Sequence, residues 1–167
     1  MHIDTQTIIP RVMDHLDKLL ATRRRLLWGI SGGGFAALMF GRREDTVIAV
    51  NPQTDISRFN AGDLGCYLDR AWGASPADLR DGKLKFVHNL TKRRHDWPRV
   101  IYLQNQSDGH VRDHLEPLLE HLGRKNREQD DESFKLIFGD WGDGHKRPPV
   151  EYMAEIVRSE AEVLLST

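Results

Sequence analysis

The chain has 167 residues with 24 lysines and arginines against 25 aspartates and glutamates, so its net charge of −1 supplies no overall field for nucleic acid or an anionic membrane. The length is that of one domain with a real core, the single cysteine, Cys66, excludes an internal disulfide, and no apolar run approaches the roughly 20 residues of a membrane span. With no signal-peptide pattern at the start, a cytoplasmic protein is the expectation.

Residues 5 to 22 place Ile8, Ile9, Val12, Met13, Leu16, Leu19 and Leu20 at three- and four-residue intervals, the pattern of an amphipathic helix with Pro10 in its first turn. The basic runs Arg23-Arg24-Arg25 and Lys92-Arg93-Arg94 flank apolar segments and are expected as solvated element ends. Leu26 to Ile30 reads as a strand, the stretch from about Gly33 to Gly41 as a helix, and Thr46 to Val50 as a buried strand bounded by Asn51-Pro52. Strand, helix and strand with short links predict a parallel sheet.

Residues 54 to 96 carry glycines and a proline that break any long period, which predicts short helices in an excursion between strands. Phe59, Tyr67 and Trp72 in this excursion are candidate apolar walls of a substrate pocket, or pack the excursion against the sheet. Regularity returns in a strand over Arg99 to Leu103, a helix from about Val111 to Leu122 and an exposed loop over Arg124 to Glu132. A strand over Phe134 to Phe138, a loop over Gly139 to Pro149 and a closing helix over Val150 to Leu165 complete the chain. The whole predicts an α/β fold of three layers, α/β/α, around a mostly parallel sheet.

Gly29-Ile30-Ser31-Gly32-Gly33 fits G-x-S-x-G, a strand-to-helix turn in which small neighbours let the backbone expose a serine hydroxyl. Ser31 is the candidate nucleophile, and the N–H of Gly32, at the start of the helix, is a candidate oxyanion donor. Gly32-x-Gly34-x-x-Ala37 also fits a dinucleotide fingerprint, which wants an acid at the end of the next strand, where Asn51-Pro52-Gln53 stands instead. In an open parallel sheet functional groups gather where loops leave the carboxyl ends of strands. Asp108 follows one such strand and His145 the next. A serine hydroxyl needs a histidine to take its proton, and the histidine needs a carboxylate to fix its tautomer, so Ser31, Asp108 and His145 form a candidate triad.

Three motifs resemble the α/β-hydrolase superfamily. Gly29-Ile30-Ser31-Gly32-Gly33-Gly34-Phe35-Ala36-Ala37-Leu38 is similar to its elbow and following helix, Gln106-Ser107-Asp108-Gly109-His110-Val111 to its acid loop, and Asp143-Gly144-His145 to its histidine loop. Asn51-Pro52-Gln53 resembles the Pro-Gln of bacterial hydrolase-like proteins linked to surface polysaccharides. The resemblance implies hydrolysis of a small-molecule or saccharide ester without cofactor or metal. In that family further strands, and a loop giving the second oxyanion N–H, precede the elbow strand, whereas one helix does so here. No second donor is evident, and the elbow strand is expected at an open sheet edge. This predicts a fragment of a longer protein, a homo-oligomer covering that edge, or a degenerate binding or assembly module that does not catalyse.

Asp140 and Asp143 compete with Asp108 as the acid but share a loop with His145, whose own turns can use them. His110 and His114 stand four apart, a spacing that can chelate zinc, yet the sequence between them lacks the metalloprotease glutamate, so surface or capping histidines are expected. His88, His95 and His121 have no constellation and are expected to be exposed.

Overall fold

The computed structural model describes residues 5–20, 23–84, 89–93, 96–124 and 131–166, which leaves His88, His95, Arg94 and most of the 124–132 loop outside the described residues. In chain order the elements are α1 (Thr5–Leu19), β1 (Leu26–Ile30), α2 (Gly32–Phe40), β2 (Thr46–Val50), α3 (Ala61–Tyr67), α4 (Pro76–Arg80), β3 (Arg99–Asn105), α5 (Glu116–His121), β4 (Phe134–Gly139) and α6 (Val150–Leu165). They fall into two compact units, Arg24–Thr54 with Leu90–Thr167, and Met1–Arg23 with Asp55–Asn89.

The larger unit holds the sheet, whose strands are all parallel in the order β1-β2-β3-β4. β2 and β3 are central and almost wholly buried, so their side chains alternate between two apolar layers. Val47, Ala49, Val100 and Tyr102 meet Ala37 and Leu38 of α2 and Leu118 and Leu119 of α5 on one face. Ile48, Val50, Ile101 and Leu103 meet Met153, Ile156 and Val157 of α6 on the other. That is a three-layer α/β/α arrangement. Among the described residues β1 pairs only with β2, and Trp28 on this edge strand is 48% exposed.

Two basic residues expected in solvent are structural. Arg25 is buried against Asp45, with Nη2 and Nε donating to Asp45 Oδ2 at 2.7 and 2.9 Å. Arg42 adds its backbone N–H at 2.7 Å. Burial alone would raise the Asp45 pKa, but the side chains of Arg25 and Arg42 and then their backbone N–H groups outweigh it and hold the carboxyl below its ordinary value. Arg93 is buried too, donating to the carbonyls of Leu38 and Gly41 at the end of α2 and, at 3.1 Å, to Asp96 O. Such a cation satisfies helix carbonyls that have no partner within the helix.

The helix expected over Val111–Leu122 opens instead with one wider π-type turn, Val111–Leu115, before α5. Pro117 explains the change: it has no N–H to donate back along the helix, so a regular first turn cannot run through it. The smaller unit consists of α1, α3 continued by a π-type turn over Leu68–Trp72, α4 and a short 3₁₀ turn at Ile56–Arg58. Pro10 is the sixth residue of α1 rather than in its first turn. In α4, Ser75 and Asp78 form a reciprocal capping box with Pro76 at the first helical position.

Candidate active site

The strand-to-helix turn after β1 is built by close backbone approaches. Gly34 lies so near Pro52 that a Cβ there would stand 2.8 Å from the proline Cβ, which only glycine avoids. Ser31 adopts φ 52° and ψ −117°, a conformation costly for a residue with a side chain. Its main chain is held on both sides: Ser31 N donates to Val50 O at 2.9 Å, and Ser31 O accepts from Phe35 N at 3.1 Å and Gln53 N at 3.3 Å. Although Ser31 occupies the N-cap position of α2, its side chain makes no capping hydrogen bond. The hydroxyl is therefore not consumed by the helix, while Gly32 N–H begins it.

Asp108 and His145 are brought together from the loops after β3 and β4. His145 Nδ1 lies 2.6 Å from Asp108 Oδ2. A carboxylate oxygen only accepts, so Nδ1 carries the proton and the Nε2 lone pair is left for other work. Asp108 is 5% exposed, and its Oδ1 accepts the His110 N–H at 3.0 Å, so both oxygens are engaged. Asp140 Oδ1 accepts from Gly142 N at 3.2 Å within its own turn. Among the described residues no hydrogen bond links Ser31 Oγ to His145. Ser31 stands at the carboxyl end of β1 and the Asp108–His145 pair at those of β3 and β4, with β2 between, and the two are not joined by a hydrogen bond.

Two asparagines that the sequence did not single out fix the histidine loop. Asn105, fully buried at the end of β3, donates from Nδ2 to Gly142 O at 2.7 Å and Gly144 O at 2.6 Å, and accepts Trp141 N–H on Oδ1 at 2.9 Å. Asn51 follows β2 at φ 40°, donates from Nδ2 to Lys146 O at 2.7 Å and accepts Asn105 N–H on Oδ1 at 2.7 Å. Ile30 and Val50 are register partners, so Asn51 lies in the sheet row of Ser31 and ties that row to the residue after His145. The available signal was a polar residue ending each of two apolar strands.

His114 is not a surface residue, and His110, half-buried at the N-cap position of the Val111–Leu115 turn, makes no side-chain cap there. His114 is buried, its Nδ1 accepting Thr54 N–H at 3.2 Å. His110 donates from Nδ1 to Asn51 O at 3.0 Å, and its ring lies 4.4 Å from that of His145 and 4.5 Å from that of His114. Burial lowers the His110 pKa, Asp108, the Asn51 carbonyl and Asp113 oppose that, and His145 adds to it, leaving a neutral ring favoured. Asp108, His110 and His145 offer ligand atoms all within 4.8 Å of one another, the one cluster of metal-ligand type among the described residues.

In the other unit Phe59 and Trp72 are half-buried and Tyr67 is exposed. His121 is exposed.

No protein-family model matches the chain, and no curated protein matches its sequence. Solved structures do match in three dimensions. Esterase B from Lactobacillus rhamnosis superposes with a TM-score of 0.60 at 18% identity, over 98% of this chain and 62% of that one. The capsule O-acetyltransferase of Neisseria meningitidis serogroup A gives 0.56 at 15% identity, over 93% of this chain and 63% of that one. An S-formylglutathione hydrolase from Agrobacterium tumefaciens gives 0.54 at 17% identity, over 94% and 56%. The chain has the α/β-hydrolase fold, and it spans less than two thirds of the length of these structures.

Proposed function

We propose that the protein is a serine hydrolase that cleaves an ester or related acyl bond of a small molecule or saccharide through an acyl-enzyme on Ser31. The observation that carries this reading is the 2.6 Å bond between His145 Nδ1 and the buried Asp108, which leaves Nε2 free as a base at the sheet end where Ser31 is held at positive φ. In the reaction His145 Nε2 takes the Ser31 proton as Oγ attacks the acyl carbon. The carbonyl pair moves onto oxygen, where Gly32 N–H donates to it. Collapse of this adduct expels the alcohol, which takes the proton back from His145, and water repeats the sequence to release the acid. Asp108 orients the ring and stabilises the charge that it takes up. The open link between Ser31 and His145 is in keeping with sites whose catalytic hydrogen bonds close only on substrate.

Treatment with a fluorophosphonate probe, beside a Ser31→Ala control, tests the reading. Ser31 is expected to be the labelled residue, with turnover of p-nitrophenyl acetate lost in the variant. Equal labelling or turnover of the two proteins refutes it.

A second reading is favoured by β1, which pairs only with β2 among the described residues, and by the exposed Trp28 upon it: a binding or assembly module whose edge is covered by another copy. A dimer by light scattering with no probe labelling supports that reading, and a monomer with turnover removes it.

A further inference from the structure

Acyl transfer is fastest when two donors face the oxyanion, and the turn after β1 supplies one of them. Among the described residues, the candidates for the other lie in the loops beside that turn. Among the described residues the one strand beside β1 is β2, so the loop after β2 is the one that faces the turn. Gln53 stands in that loop. We propose that its side-chain amide is the second oxyanion donor, an assignment that rests on the serine-hydrolase reading.

Four observations place it there. Gln53 N–H donates to Ser31 O at 3.3 Å, so the residue is tied to the main chain of the proposed nucleophile itself. Pro52, before it, is packed against Gly34 in the first turn of α2 and prevents the loop from drawing back. The Gln53 Oε1 atom lies 3.6 Å from where a Cβ on Gly32 would be, which sets the amide over the N-terminus of the nine-residue helix α2. The residue is 5% exposed, yet neither polar atom of its side chain hydrogen-bonds to a described residue.

An amide with no hydrogen bond to a described residue is available to a group that binds beside it, which can take the place of solvent on it. Oxygen and nitrogen of the amide exchange places by a half-turn about its last torsion, and here that turn breaks no hydrogen bond to a described residue. Nε2–H then points at the end of α2. When Ser31 Oγ bonds to the acyl carbon and the carbonyl pair moves onto oxygen, that oxygen accepts Gly32 N–H and Gln53 Nε2–H together, in the favourable field of the helix N-terminus. The pair returns to re-form the carbonyl as the alcohol leaves with the His145 proton. Gln53 itself neither gains nor loses a proton in the step.

The test compares wild type with Gln53→Ala, Gln53→Glu and Gln53→Met on one p-nitrophenyl ester. Loss of one donor is expected to lower kcat by about 100- to 1000-fold with KM nearly unchanged. Gln53→Glu should fall at least as far, because its carboxylate only accepts and repels the oxyanion. Gln53→Met, of similar shape, should behave like Gln53→Ala and so separates donation from packing. A trifluoromethyl ketone, whose adduct carries the oxyanion, should lose affinity in parallel with kcat/KM, while a substrate-shaped amide should bind unchanged. Wild-type turnover with an undiminished kcat in folded Gln53→Ala overturns the assignment and leaves the hydrolase reading standing. Wild type that neither turns over nor labels at Ser31 overturns both.

Discussion

Asn105→Ala is the perturbation that most directly asks what holds His145 in place. The asparagine is fully buried and spends its amide on Gly142 O, Gly144 O and Trp141 N–H, with a longer contact to Ser107 Oγ at 3.1 Å. The two carbonyls keep a second donor after truncation, Ser107 Oγ for Gly142 O at 2.8 Å and Lys146 N for Gly144 O at 2.8 Å, so each forfeits only the net value of one bond, about 1 kcal/mol. Trp141 N–H has no such substitute and bears the larger cost of an unmade buried bond, about 1–3 kcal/mol. Together these suggest a loss of about 4 kcal/mol, some of which relaxation and water recover. Urea unfolding followed by tryptophan fluorescence measures it: with a slope of about 2 kcal/mol/M the midpoint should fall by about 1–2 M. Activity should fall further than stability explains, because the freed loop carries His145 with it, and a near-attack geometry is lost with displacements of about 1 Å. A midpoint and a kcat both equal to wild type would refute the claim that these bonds set the histidine loop.

Other expectations follow from the same contacts. Asp108→Asn should lower kcat by about 10⁴-fold while leaving the fold intact, since an amide at this place favours the wrong His145 tautomer; rates comparable to wild type would remove Asp108 from the mechanism. Asp45→Asn should destabilise by about 3–5 kcal/mol, because Arg25 stays buried without its counter-charge, and thermal melting reads the change. As the folded Asp45 pKa lies below its ordinary value, the stability it contributes is present above that value and is lost as pH falls through the folded one; Asp45→Asn should flatten the acid limb of the stability curve. The His110 pKa is lowered in the opposite chemical sense: the unfolded ring takes up a proton below about 6.5 while the folded ring resists it, so stability falls with pH through that range. His110→Gln should make the slope of stability against pH shallower below about 6.5, which urea midpoints at several pH values would show.

The parallel sheet was legible because apolar runs bounded by polar punctuation admit few other readings, and β1 and β2 fall where Leu26–Ile30 and Thr46–Val50 predicted. β3 runs on through Gln104 and Asn105, which a sequence reading assigns to a loop because they are polar; both are fully buried, with Asn105 bonded across to the histidine loop. Arg25 and Arg93 misled for a related reason. A charged residue in a basic run reads as solvated until the partner that neutralises it, Asp45 or a set of helix-end carbonyls, is placed beside it by the fold. The meeting of Asp108 with His145 could be expected from the order of strands, since each follows the strand before it in the sheet. The neighbourhood of Gln53 could not, because it depends on how closely Pro52 and Gly34 pack.

A sheet whose strands lie side by side in the order they are made has a consequence for when this molecule acquires reactivity. β1, β2 and β3 bring Ser31, Asn51 and Asp108 into place, but the ring that would activate the serine arrives with the loop that follows β4. On the proposed mechanism, a nascent chain that has formed everything up to β3 would carry the serine and the acid, yet no base. Its serine is as inert as any surface hydroxyl. Covalent labelling at Ser31 would then report more than catalysis: it would time-stamp the docking of the last strand, and a chain released early would be chemically silent rather than indiscriminately reactive.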